Sequence, residues 1–301
     1  MTQAPEKTSR SVLKERIIGT RKPNTLRRPA QITGIGLHLG NRVEMRLCPA
    51  PAGTGVLFKR VDLPGSPLIP AHLDYVEATL RNTTIANGKA QVYTVEHVLA
   101  ALKAYEIDNV VIELSSGEPP NAEGCAEAFV RMIHEAGIEE QQGEVPIVGI
   151  AEPIYWSQKG IHIVALPAER RQISYTIHYP QASAIGSQYY SVEIDADHFK
   201  RELAPCRTFA LYEEIAALME AGLIKGGSLD SGLVIKGGEI MTTGGLRFLN
   251  EPVRHKILDM VGDLSLLGID WVAHVIAICS GHAANTAFGR RFLNHVTGEG
   301  E

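Results

Sequence analysis

The chain has 301 residues, 45% of them hydrophobic and 21% charged, which suits two domains of about 150 residues each and excludes a disordered or low-complexity scaffold. Its 29 Lys and Arg stand against 34 Asp and Glu, and the net charge of −5 argues against a general nucleic-acid binder. No apolar run is long enough for a membrane span; residues 271–279 make about half of one and are interrupted by His274.

Residues 1–24 read as a disordered basic tail. Eight Lys or Arg and two Glu fall within residues 1–30, without the apolar core that a signal peptide needs. A first α+β domain is expected over 25–142. Within it, 43–47 alternate as a strand, 92–105 take helical spacing, 110–114 return to strand, and 126–136 form a second helix closed by Gly137. The polar run 139–144 (Glu-Glu-Gln-Gln-Gly-Glu) reads as the linker. A second α+β domain is expected over 145–297, with strands at 161–166 and 173–178 and a helix at 253–267. The four cysteines, at 48, 125, 206 and 279, form no C-x-x-C pair, which points to reduced thiols in a cytoplasmic protein.

The second half repeats marks of the first in the same order. His97 and His255 lie on corresponding helices, Ile107-Asp108 matches Ile269-Asp270, and Ser116-Gly117-x-x-x-Asn121 matches Ser280-Gly281-x-x-x-Asn285. An internal duplication follows, and two copies packed face to face would bring His97 and His255 to one site.

On the second helix His255 and Asp259 stand at i and i+4, one above the other, so that both can bind one ion, and Asp263 continues the row. An imidazole and a carboxylate with a third ligand from elsewhere make a catalytic zinc set that leaves a position for water. Glu96-His97 places a carboxylate beside a candidate third ligand, about 100° around the helix, where it can act as a base toward that water. His282 follows an apolar strand and a glycine; it can serve as a second acid or base oriented by a carboxylate such as Asp263.

Six segments, in this order, resemble the UDP-3-O-acyl-N-acetylglucosamine deacetylases, zinc enzymes of lipid A synthesis. They are Gly34-Ile35-Gly36-Leu37-His38-x-Gly40, Thr94-Val95-Glu96-His97, Cys206-Arg207-Thr208-Phe209, Gly226-Gly227-Ser228-x-Asp230, Arg254-His255-Lys256-x-x-Asp259-x-x-Gly262-Asp263-Leu264 and Ser280-Gly281-His282. The resemblance covers about residues 25–296. It implies zinc on His97, His255 and Asp259, Glu96 as general base, His282 as general acid and Asp263 as the residue that orients it. It also implies Thr208 at the oxyanion, Lys256 at the phosphates of a UDP-linked acylated amino sugar, and Phe209 near the hexosamine. The fold implied is α+β, two similar domains layered sheet-helix-helix-sheet, with a small β-α-β insert around 206–235. That insert would form an apolar passage for the acyl chain, with Leu218 in the stripe Ile215, Leu218, Met219, Leu223. A monomer is expected. The turn at 119–125 departs from the family pattern, with Glu123 for Asp and Cys125 for Ser. Two other readings stand beside this one: a zinc amidohydrolase acting on a different acylated amino sugar, and a catalytically silent, metal-stabilised binding module.

Overall fold

The computed structural model of the protein describes residues 16–298. Its first half runs β1 (Ala30–Ile35), β2 (Arg42–Pro49), β3 (Val56–Arg60), β4 (Leu68–Pro70), α1 (Glu96–Ala104), β5 (Ile107–Leu114) and α2 (Glu127–Ala136). The second runs β6 (Ile154–Gln158), β7 (Ile161–Leu166), β8 (Gln172–Tyr179), β9 (Gly186–Glu193), α3 (Tyr212–Glu220), α4 (Glu251–Ser265), β10 (His274–Ile278) and α5 (His282–Thr297). Period-two patterning builds the sheets. In β2, Val43, Met45 and Leu47 are buried while Arg42, Glu44 and Arg46 face solvent, so the strand is apolar on one side only.

The two sheets share one topology. The first has the order β1-β2-β5-β3-β4, paired antiparallel, antiparallel, parallel, antiparallel. The second has β6-β7-β10-β8-β9 with the same four senses in the same order. Helix packing repeats too, since α2 lies on α1 and β1 as α5 lies on α4 and β6. The molecule is therefore α+β, with sheets outside and α1 packed on α4 between them. Gly262 sets the crossing, because a Cβ there would lie 2.0 Å from the Glu96 carbonyl oxygen.

Each half carries an insert between its fourth strand and its first long helix. In the first half it is an antiparallel meander of Val76–Ala78, Thr84–Asn87 and Ala90–Val92. In the second, Phe209–Leu211, α3 and Leu233–Lys236 form a parallel β-α-β unit, followed by Glu239–Met241. The expected insert is present.

Three expectations need correction. Of the tail 1–24, residues 1–15 lie outside the described residues, but Ile17–Arg21 and Asn24–Leu26 are strands. Ile17–Arg21 pairs with Val145–Val148, which pairs in turn with Asp270–Trp271. Arg21 is held there by bidentate contact with Asp108 (2.8 and 2.7 Å) and by Asp270 (2.7 Å), so the duplicated Ile-Asp pairs meet on one guanidinium. The linker is also shorter than expected, since Ile138–Glu140 pairs with Asn24–Leu26 and extends the first sheet. Finally, α1 begins at Glu96 rather than at 92: Val92 is paired with Ile85, and Thr94 takes a left-handed φ of 54° that breaks any earlier helix. All four cysteines are free, as expected. No helix among the described residues is long and apolar enough to cross a membrane.

Candidate active site

The crossing of α1 and α4 brings the two halves' histidines together. His97 and His255 pack edge to face with ring centroids 5.0 Å apart, and Asp259 sits one turn beyond His255. Asp259 Oδ1 lies 3.5 Å from His97 Nε2 and 3.2 Å from His255 Nε2. All three side chains are buried, and one ligand atom from each lies within 4.8 Å of the others. Asp259 Oδ1 has no hydrogen-bond partner although it is buried, a cost that a cation between these three atoms would remove. The ring of His255 is set for this: its Nδ1 lies 3.0 Å from the Cys206 carbonyl, which only accepts, so Nδ1 carries the proton and Nε2 presents its lone pair. Burial also drives the His255 pKa down to about 4, keeping the ring neutral. Burial opposes charge on Asp259, but His255 and Lys256 hold its carboxyl well below the usual carboxylate range. Two imidazoles and one carboxylate are a donor set suited to a divalent metal.

Glu96 opens α1 beside His97 and is itself buried. Burial raises its pKa, an effect offset in part by His282 and His97. One oxygen, Oε2, accepts the Thr83 N–H at 3.0 Å. His282 opens α5, across the cavity. Its Nδ1 lies 2.9 Å from Asp263 Oδ2, which also accepts from Asn285 Nδ2 at 2.8 Å. Burial alone would lower the His282 pKa, yet the charge and hydrogen bond of Asp263, with Glu96 and Asp259 behind them, raise it to about 9. One buried acid is thus biased toward holding its proton longer than usual, and the histidine opposite is cationic at neutral pH.

These groups line a cleft of about 320 Å³ that also includes Thr208, Phe209 and Lys256. Thr208 donates its N–H to the Gly124 carbonyl at 2.8 Å. The adjacent Arg207 is clamped by the buried Glu251 at the start of α4, with Nε and the main-chain N–H each 2.9 Å from Oε1. Phe209 packs edge to face on Tyr179 at 5.6 Å. Asp263 lies behind His282 and does not reach the cleft wall. Lys256 is turned inward, with its ammonium 2.6 Å from Asp259 Oδ2. Beyond Thr208 and Phe209 a second cavity of about 440 Å³ opens, lined by Ile215, Leu218, Met219 and Leu223 of the insert.

Sequence patterns missed three members of this site. Thr83 comes from the loop of the first insert, where no spacing marks it. His38 lines both cavities, buried, with neither ring nitrogen hydrogen-bonded; its place in Gly34-Ile35-Gly36-Leu37-His38 was the available signal. Glu118 holds that segment, accepting from the main-chain N–H groups of His38 (3.0 Å) and Leu39 (2.9 Å) and from the Thr94 hydroxyl (2.7 Å). Gly36 admits the carboxylate, since a Cβ there would fall 2.6 Å from Glu118 Oε2.

The comparisons with known proteins agree over nearly the whole chain. The family described as UDP-3-O-acyl N-acetylglycosamine deacetylase matches residues 23–294. A UDP-3-O-acyl-N-acetylglucosamine deacetylase of Chlamydia pneumoniae is 47% identical over 274 residues, covering 91% of this chain and 97% of that protein. The proteins of the same name from Chlamydia felis and Chlamydia muridarum are each 45% identical, over 276 and 281 residues, covering 92% and 93% of this chain and 98% of each relative. The chain belongs to the UDP-3-O-acyl N-acetylglycosamine deacetylase family.

Proposed function

We propose that the protein hydrolyses the N-acetyl group of a UDP-3-O-acyl-N-acetylglucosamine, giving acetate and UDP-3-O-acyl-glucosamine, the committed step of lipid A synthesis. The observation that carries this reading is one cleft holding a two-histidine, one-aspartate donor set, a buried carboxylate beside it and a histidine charged by Asp263, with an apolar cavity adjoining. His97, His255 and Asp259 would hold zinc, which three such ligands suit while leaving a position open. When bound, zinc would polarise the acetyl carbonyl and lower the pKa of water to about 7.

The chain's own residues then divide the work. Glu96, anchored through Oε2, takes the proton from the attacking water. The Thr208 hydroxyl meets the carbonyl oxygen as negative charge develops, and one such donor is worth about 3 kcal/mol. His282, protonated at neutral pH, gives its proton to the departing glucosamine nitrogen. Phe209 lies against the hexosamine. Lys256, whose ammonium lies 2.6 Å from Asp259 Oδ2, would meet the pyrophosphate. The acyl chain enters the cavity around Leu218, where each buried methylene contributes about 0.8 kcal/mol.

Metal analysis and acetate release on one purified sample test the reading, with the acylated UDP-sugar and its counterpart without the 3-O-acyl group as substrates. About one zinc per chain and a much larger kcat/KM for the acylated substrate are expected. Equal processing of both substrates would favour an amidohydrolase acting on a different acylated amino sugar.

A further inference from the structure

Among the described residues, Thr83 is the one bonded to both sides of the proposed reaction machinery. It precedes Thr84–Asn87 in the first insert and is buried. Its main chain is bonded twice to the start of α1: its carbonyl accepts the Val95 N–H at 3.2 Å and its N–H donates to Glu96 Oε2 at 3.0 Å. Its hydroxyl crosses to α4, 2.5 Å from Asp263 Oδ1. A carboxylate offers only acceptors, so the hydroxyl proton goes to Asp263 and an oxygen lone pair is left over. That lone pair faces His282 Nδ1 at 3.3 Å. The Nδ1–H of His282 therefore sits in a fork between Asp263 Oδ2 at 2.9 Å and Thr83, with Nε2 as the remaining nitrogen.

The acceptor count shows what depends on this hydroxyl. Asp263 Oδ2 serves His282 and Asn285, and Asn285 is itself turned by Ser280, whose hydroxyl lies 2.5 Å from Asn285 Oδ1. Oδ1 is bonded by Thr83. Without that donor the carboxylate can rotate, and the His282 ring follows it. Glu96 is steadied from the same residue through the main chain, which leaves Oε1 as the oxygen that can receive a proton.

We propose that Thr83 is a positioning residue that fixes the general base and the general acid relative to one another, holding Glu96 through its N–H and the Asp263–His282 pair through its hydroxyl. This rests on the roles proposed above for Glu96 and His282. A base and an acid that must act on one bound amide in succession need a fixed mutual geometry, and misplacement by about 1 Å can cost 10²-fold.

The test compares Thr83→Val, which keeps the shape and the N–H but loses the hydroxyl, with Thr83→Ser, which keeps both polar groups. Thr83→Ala serves as the hydroxyl-free variant should valine not be accommodated. Expected for the hydroxyl-free protein is a fall in kcat of about 10- to 100-fold, with KM within twofold and metal content unchanged, and recovery of most of it in Thr83→Ser. Unchanged kcat without the hydroxyl, or equal impairment of the serine variant, overturns the proposal. Crystal structures of the variants decide it independently of turnover. A displaced His282 ring in the hydroxyl-free variant, restored in Thr83→Ser, supports the proposal, and an unmoved ring overturns it. Absence of acetate release by the wild-type protein would overturn the deacetylase reading instead, and the position of the His282 ring would still decide the role of Thr83.

Discussion

The two halves have one topology but spend the same position on different things. After the fifth strand of the first sheet comes Ser116-Gly117-Glu118; after the corresponding strand of the second comes Ser280-Gly281-His282. Glu118 turns its carboxylate onto main-chain N–H groups and ties down the segment that carries His38. His282 turns its ring toward Asp263 and the cleft. The helices divide likewise, α1 bringing one candidate ligand with the proposed base and α4 bringing two candidate ligands with the aspartate bonded to the proposed acid. The shared strand order supports reading the chain as two copies of one unit. A duplicated scaffold thus supplies two equivalent places facing one crossing, and chemistry needs only one of each pair to stay structural.

The largest effects should come from the residues that both halves contribute jointly. His97→Ala, from the first half, and His255→Ala or Asp259→Ala, from the second, should each lose metal and activity together, because in the proposed site three protein ligands would hold the ion. Full zinc occupancy in all three, measured by elemental analysis, would sink the shared site.

Next come the base and the acid, one from each half. Glu96→Gln should retain metal and lose about 10²- to 10⁴-fold in kcat, since an amide of the same shape accepts no proton from water. In the proposed roles Glu96 must be ionised and His282 protonated, so the rate should fall on the acid side as the raised Glu96 pKa is crossed and on the alkaline side near pH 9. Asp263→Asn removes the charge that holds the His282 proton, so the alkaline limb should move to lower pH. A pH–rate profile with the alkaline limb unmoved in that variant would show that His282 is not the titrating acid.

The duplicated aspartates offer a sharper contrast in stability. Asp270 is buried against Lys103 (2.8 Å), Arg21 (2.7 Å) and Arg171, while the more exposed Asp108 has Arg21 as its one close cation among the described residues and also accepts the Asn24 main-chain N–H at 2.7 Å. Burial alone would raise the Asp270 pKa, yet these cations hold it far below the carboxylate range. Asp270→Asn should cost about 3–5 kcal/mol by leaving buried cations uncompensated, against about 1 kcal/mol for Asp108→Asn. Because burial already lowers the Lys103 pKa to about 8, loss of a proton from that ammonium would soften the larger figure. Equal denaturant midpoints for the two variants would contradict the asymmetry.

How much of this was legible depends on whether a feature is local. Spacing of i and i+4 put His255 and Asp259 on one face, adjacency paired Glu96 with His97, and patterning placed 43–47, 161–166 and 173–178 within two residues of their strands and 110–114 within three. The strand Ile17–Arg21 was not legible because its partners are Val145–Val148 and, through that strand, Asp270–Trp271, and because it is a short segment within a stretch that is basic overall. Thr83 escaped for a related reason, since it acts through a main-chain N–H and one hydroxyl. The inward turn of Lys256 onto Asp259 depends on a side-chain conformation that helical spacing alone leaves open.

The smallest effect tests the opening contrast directly, at Glu118. Its oxygens receive the N–H groups of His38 and Leu39 and the Thr94 hydroxyl. In Glu118→Gln the amide oxygen can keep the N–H groups while the new NH₂ meets Thr94, whose hydroxyl can reverse and accept; only the charge assistance is lost, about 1 kcal/mol. Glu118→Ala has no such remedy. It leaves the buried His38 N–H unpaired at about 1–3 kcal/mol and the half-buried Leu39 N–H at less, and the melting temperature should fall accordingly. His282→Ala should remove most of kcat, and because it also leaves the buried Asp263 carboxylate without its cation, kcat rather than the melting temperature separates the two positions. If Glu118→Gln instead lowered kcat as far as His282→Ala does, with stability intact, the first copy's glutamate would belong to the chemistry, and the division of labour between the halves would have to be redrawn.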